Sequence, residues 1–259
     1  MSVDLEVRDR VARLTLNRPE AGNALDPGLI HGFREAAESL EGRDDIGAVI
    51  LTGAGRNFSV GGDLRFMHEA GEDVADAVFD LASTMHAGIE ALASLDAPVI
   101  SAVRGAAAGG GMSIAISADL VLAAESASFT VAYTAIGFST DGGASWTLPR
   151  LVGHRRAMEL ALLNERLTAA RAEELGIVTR VVSDDALAAE AEALARKLAD
   201  GPVGAHAAVK RLLRASSTAT FSSQLAVEAH TIAGLAAAPD GREGVLAFLD
   251  KRAPHFGEP

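Results

Sequence analysis

The sequence predicts an α/β core followed by an all-helical tail, and three observations carry that expectation. Up to about residue 182, short apolar runs of strand length alternate with stretches of helical spacing. From Asp184 onward only helical periodicity remains, punctuated by Gly201-Pro202 and Pro239-Asp240-Gly241. With 259 residues, 49% of them hydrophobic, the chain can fill one large core and still carry an appendage.

The elements follow in order. Val3, Leu5 and Val7 alternate with polar residues, as do residues 11–16, and Arg8-Asp9-Arg10 between them predicts a hairpin turn. Residues 17–25 form a loop by their Pro and Gly content. Asp26-Pro27 then reads as an N-cap with proline at the first helical position, opening a helix through Leu29, Ile30, Phe33, Ala37 and Leu40. Ile46 to Thr52 is a buried strand, and Val74, Val78, Leu81, Met85, Ile89 and Leu92 mark a long amphipathic helix. Pro98 to Arg104 is a central strand, followed by the glycine turn 105–111 and a helix through Met112 to Ala118. Leu120–Ala123 and Ser128–Val131 are short strands, residues 155–163 and 168–175 are helices, and Ile177–Val182 is a last strand stopped off by Gly176.

Composition narrows the function. The formal net charge of −12 disfavours nucleic acid or an anionic membrane surface as the main partner, so an anionic ligand must be held by local basic residues. There is no cysteine, which removes disulfides, thiolate metal sites and a thiol nucleophile. The N-terminus lacks a charged start followed by an apolar stretch, and no apolar run is long enough to span a membrane; the cytoplasm is the expected location. His31, His68, His154, His206, His230 and His255 show no metal-ligand spacing.

Two glycine turns carry the chemistry. Gly105 to Gly111 lies between a strand and a helix start, where unpaired amides and the positive end of the helix dipole favour a negative oxygen. Asn57-Phe58-Ser59-Val60-Gly61-Gly62-Asp63-Leu64 is a second such turn. Two turns of this kind can aim two N–H donors at one oxyanion, each donor worth roughly 10²–10³ in rate.

With these motifs, and with Asn17-Arg18-Pro19, Ile136-Gly137-Phe138-Ser139-Thr140-Asp141-Gly142-Gly143, Leu148-Pro149-Arg150 and Arg242 to Arg252 in the same order, the chain resembles the crotonase (enoyl-CoA hydratase/isomerase) superfamily over nearly its whole length. The resemblance implies a crotonase-like spiral of ββα units over residues 1–200, holding the coenzyme A thioester and the catalytic site. It implies a helical oligomerisation region over 201–259, a homotrimer or homohexamer, and no cofactor beyond the coenzyme A of the substrate. The N–H groups of Gly62 and Gly110 would bind the thioester oxygen. Ala21, Asn23, Ala24, Asp63 and Leu64 fall where the family makes backbone contacts with adenine, with Arg18, Arg65 and Lys251 as cations for the phosphates; each of these basic residues also reads as a solvated surface charge.

The two glutamates of the hydratases correspond here to Ser113 and Tyr133, so both water-activating carboxylates are replaced. A carboxylate stands instead at Asp141, where relatives resembling the phenylacetate-pathway isomerases and 4-chlorobenzoyl-CoA dehalogenase carry their working aspartate. His86 falls at the dehalogenase histidine's helical position, although on an amphipathic helix it also reads as a surface residue. An enoyl-CoA isomerase shuttling a proton on Asp141 is the leading expectation. The alternatives are an enoyl-CoA hydratase, an aryl-CoA dehalogenase with an aspartate nucleophile, and a non-catalytic acyl-CoA binder.

Overall fold

The computed structural model describes residues 2–257. The elements are β1 (Val3–Arg8), β2 (Val11–Leu16), α1 (Pro27–Glu38), β3 (Ala48–Gly53), α2 (Leu64–Glu69), α3 (Val74–Ser94), β4 (Val99–Val103), β5 (Ala106–Ala108), α4 (Gly110–Ser117), β6 (Leu120–Ala124), β7 (Ser128–Thr130), α5 (Ala144–Val152), α6 (His154–Leu163), β8 (Leu167–Thr168), α7 (Ala169–Glu174), β9 (Arg180–Val182), α8 (Leu187–Ala199), α9 (Val203–Ala215), α10 (Phe221–Ala237) and α11 (Pro239–Leu249).

Six strands form one sheet in the order β1-β2-β3-β4-β6-β9, parallel except for the β1–β2 hairpin. The hairpin turns through Asp9 and Arg10, both at positive φ, which matches the right-handed twist of the strands it joins. A smaller sheet, β5-β7-β8, stands beside the large one.

The strands of the large sheet are apolar without a break because both faces are covered. Val49 and Leu51 of β3 face Leu29, Ile30 and Phe33 of α1 and the stripe of α3. Ile50 and Ala48 point the other way, to Leu187, Ala191, Ala195 and Ala199 of α8. Helix α1 starts as its sequence dictates, with Asp26 accepting from the Leu29 amide at 2.8 Å and Pro27 next to the cap.

Helix α9 is fastened to the core by Lys210, whose buried ammonium pairs with Asp119 at 2.7 Å and donates to the carbonyls of Leu92 and Ala97. Beyond it α10 buries none of its residues, and Phe221, Ile232, Phe248 and Leu249 of α10 and α11 are exposed. No described helix is long and apolar enough to cross a membrane.

Three of the differences between expected and observed elements bear on the core. Residues 106–108, expected as turn, form β5, because Ala106 to Ala108 pair with β7. The strand expected over 177–182 is only Arg180–Val182; Ile177 and Val178 are buried beneath it in a turn after α7. Helix α5 carries Pro149 inside it and was not expected as a helix.

Candidate active site

The loop from Arg18 to Leu25 is pinned by one buried amide. The Asn23 side chain is fully buried; its Nδ2 donates to the carbonyls of Ala54, Asn57 and Phe58, and its Oδ1 accepts from the Arg18 N–H. This fixes residues 57–63 between that loop and β5. On one side the Phe58 and Ser59 amides donate to the carbonyls of Arg104 and Ala106. On the other side Leu25 donates to the Gly61 carbonyl at 2.8 Å and the Asp63 amide returns a bond to the Leu25 carbonyl.

That pairing orients Gly62. The C=O and N–H of a trans peptide point in opposite directions, so with the Gly61 carbonyl turned to Leu25 the Gly62 N–H points away from it. The same logic applies at α4. Gly109 has φ 52° and ψ −128°, a backbone that needs glycine, and reverses the chain between β5 and α4. Its carbonyl accepts from the Ser113 amide, which leaves the Gly110 N–H directed out of the helix N-terminus. Among the described residues neither N–H donates to another protein group.

Both glycines line one cavity of about 660 Å3. Its wall is apolar, built from side chains such as Met67, Val78, Phe79, Leu81 and Met85 of α2 and α3, and from Ile136 and Phe138. Among the described residues Asp141 is its single charged lining residue.

Asp141, Tyr133 and Ser113 form a chain. The Tyr133 hydroxyl donates to Asp141 Oδ1 and lies 2.9 Å from Ser113 Oγ, and Ser113 Oγ lies 3.3 Å from the Gly109 carbonyl. The two residues at the glutamate positions thus meet as hydroxyls, and Tyr133 carries the chain on to the carboxylate. Burial raises the Asp141 pKa above the ordinary aspartate value, opposed by the tyrosine hydrogen bond. Burial, and then the Asp141 charge, raise that of Tyr133, so it remains a donor.

His86 stands behind this wall and is not a lining residue. Its Nε2 accepts the Gly142 N–H at 2.9 Å, which requires an unprotonated Nε2 and anchors the turn that carries Asp141.

The expected coenzyme A residues separate into two groups. Arg18 and Asp63 pair with each other at 2.6 Å, Arg18 also pairs with Asp26 and donates to the Ala24 carbonyl, and Asp63 caps α2 through the Arg65 and Phe66 amides. Their hydrogen bond raises the Arg18 pKa and lowers that of Asp63. Asn23, Arg18 and Asp63 are therefore engaged within the protein. Leu64 and Arg65 are exposed at the start of α2, Leu64 on the cavity rim. Ala21 closes a short helical turn in the same loop, and Lys251 sits at φ 54° just after α11 without lining the cavity. No group of three His, Cys, Asp or Glu side chains among the described residues is placed to hold a metal. Phe79 and Phe138 were not expected at the site; Phe79 follows Val78 but lies off the apolar stripe of α3 and is exposed, so helical spacing does not mark it.

Comparison with known proteins adds four relations. Residues 6–259 match the family model described as enoyl-CoA hydratase/isomerase. The chain is 40% identical to the 1,2-epoxyphenylacetyl-CoA isomerase of Escherichia coli, covering 96% of each protein, and 34% identical to 4-chlorobenzoyl coenzyme A dehalogenase-2 of an Arthrobacter species, covering 96% of this chain and 91% of that one. The crystal structure of an enoyl-CoA hydratase from Polaromonas superimposes with a TM-score of 0.93 at 35% identity, covering 98% of both chains.

Proposed function

The chain belongs to the enoyl-CoA hydratase/isomerase family, and from that premise we propose that it is an enoyl-CoA isomerase using Asp141 as its single proton carrier. The observation that carries this reading is that Asp141 is the one charged group lining the cavity that also holds Gly62 and Gly110. The thioester oxygen accepts from the two glycine amides, which stabilise the charge that develops on it. Asp141 removes a proton from the carbon next to the thioester, the electrons pass into the carbonyl, and the dienolate takes the proton back at the far end of the conjugated system. A carboxylate whose basicity is raised by burial suits both transfers.

Coenzyme A enters as part of this substrate, with no further cofactor. The backbones of Ala21, Ala24 and Leu64 border its adenine, Arg65 is the free cation for its phosphates, and Lys251 reaches it from its own or a neighbouring subunit. The exposed apolar side chains of α10 and α11 support assembly into a homotrimer or homohexamer, checked by mass measurement in solution.

The test is incubation of 3-enoyl-CoA and 2-enoyl-CoA in deuterated water with the wild type and Asp141→Asn. Bond migration with deuterium uptake, lost in the variant, is the expected result; gain of one water by the substrate would replace this reading with the hydratase. Asp141→Asn should also leave the fold at least as stable. With its folded pKa raised, Asp141 contributes stability below its unfolded value and loses it as pH rises through the folded value, so at neutral pH the neutral isostere is favoured. A hydratase reading draws on the paired hydroxyls of Ser113 and Tyr133, which could hold a water beside Asp141. The dehalogenase reading draws less, because the His86 lone pair is taken by Gly142.

A further inference from the structure

Both segments that end in the oxyanion glycines begin in a second cleft. It has a volume of about 320 Å3 and is lined by Arg56, Arg104 and Arg166, by Ser126 and Asp184, and by backbone at residues 55–57 and 105–106. Arg56, Arg104, Ser126 and Asp184 lie within the first few residues past the carboxyl ends of β3, β4, β6 and β9, four strands that lie side by side and parallel in the large sheet. Open α/β sheets take their ligands at that edge.

The charges there are unusual for this molecule. The chain carries 35 acidic against 23 basic side chains, yet among the described residues none of these three guanidiniums forms an ion pair. Arg104 spends one N–H on the Asp184 main-chain carbonyl at 2.5 Å, and Arg166 one on Ser128 Oγ at 3.0 Å. A guanidinium offers five N–H donors, so most remain unspent. The one carboxylate of the cleft is itself occupied, accepting from the Ser126 amide at 3.1 Å and from the Ser126 hydroxyl. Those bonds hold the Asp184 carboxyl below the usual aspartate range, so it stays ionised, and three positive charges face one negative.

We propose that this cleft binds phosphate, either as inorganic phosphate or as the phosphate group of a small phosphomonoester. Guanidinium forks from three separate stretches of chain line this one cleft, and their planar donor pairs suit the several equivalent oxygens of a tetrahedral anion. Gly105, at φ 59°, brings the chain so close to the Arg56 carbonyl that a Cβ there would lie 2.1 Å from its oxygen, and this contact holds Arg56 beside Arg104. A bound phosphate would tie residues 56 and 104 together at the root of the two segments that carry Gly62 and Gly110.

The test is calorimetric titration of the intact protein with inorganic phosphate and, separately, with methyl phosphate, at constant ionic strength with chloride as control. Saturable binding is expected, with affinity falling about tenfold or more in Arg104→Met and in the double variant Arg56→Met/Arg166→Met. Binding should persist in saturating coenzyme A. Tighter binding of one probe identifies whether free or esterified phosphate is preferred. Three results overturn the proposal: no saturable phosphate binding, affinity unchanged in the arginine variants, or displacement by coenzyme A, which would give the arginines to the substrate's own phosphates. None of these readouts depends on the reaction assigned to Asp141.

Discussion

Replacing Tyr133 by phenylalanine removes one oxygen from the acyl cavity and leaves the ring in place. That oxygen donates to Asp141 Oδ1 and bridges to Ser113 Oγ at 2.9 Å. Burial raises the Asp141 pKa and the tyrosine hydrogen bond lowers it, so removing the bond moves the pKa further up. A hydrogen bond to a charged group is worth about 1.5–3 kcal/mol, part of which the Ser113 hydroxyl or water recaptures. A net loss of about 1.4 kcal/mol makes ionisation of the carboxylate roughly tenfold harder. The base must be ionised to act, so the acid limb of kcat/KM should move to higher pH in Tyr133→Phe. On that limb the variant should be slower by about tenfold, and at the alkaline plateau it should approach wild type. The assay is ultraviolet measurement of double-bond migration across the pH range, with deuterium uptake as a second readout. A uniform loss at every pH with the limb unmoved would make the hydroxyl a packing group. A limb displaced to lower pH would refute the electrostatic reasoning outright.

Two further predictions concern anchoring. His86→Ala should free the Gly142 amide and lower kcat about tenfold with little change in KM, while His86→Gln, whose carbonyl can accept that N–H, should recover part of the rate; equal and complete loss in both would instead mark the imidazole as a proton carrier. Lys210→Ala should cost about 3 kcal/mol in denaturant unfolding, the low end for a broken buried pair, because Asp119 keeps the Val99 amide at 2.8 Å. Limited proteolysis should then cut first between α9 and α10, and an unchanged digestion pattern would show that Lys210 does not secure the tail.

What could be read in advance divides along the range of the interactions involved. The stretches that became β3 and β4 announced themselves because strands covered on both faces need nearly every side chain apolar, a local property. Asp26 and Pro27 announced α1 for an equally local reason. β5 could not be seen, since three alanines have little intrinsic strand preference and owe their conformation to β7 and to Ser59. Helix α5 was hidden by Pro149, which breaks a helix on propensity alone.

The site divides in the same way, and its non-local half decides the chemistry. Gly62 and Gly110 were legible as motif positions, but their orientation depends on Leu25, thirty-seven residues from Gly62, and on the reversal at Gly109. Asn23 was legible as part of a loop whose backbone borders a ligand; that its side-chain amide is spent joining this loop to residues 54–58 was not, because those partners lie more than thirty residues away. Ser113 and Tyr133 looked like losses, two carboxylates gone. Ala132, at φ 64°, turns the chain so that the Tyr133 hydroxyl meets both Ser113 and Asp141. Two hydroxyls at those positions and one carboxylate at Asp141 are therefore one arrangement: burial raises the carboxylate's pKa, the Tyr133 hydroxyl opposes that rise, and the Ser113 hydroxyl meets the tyrosine oxygen.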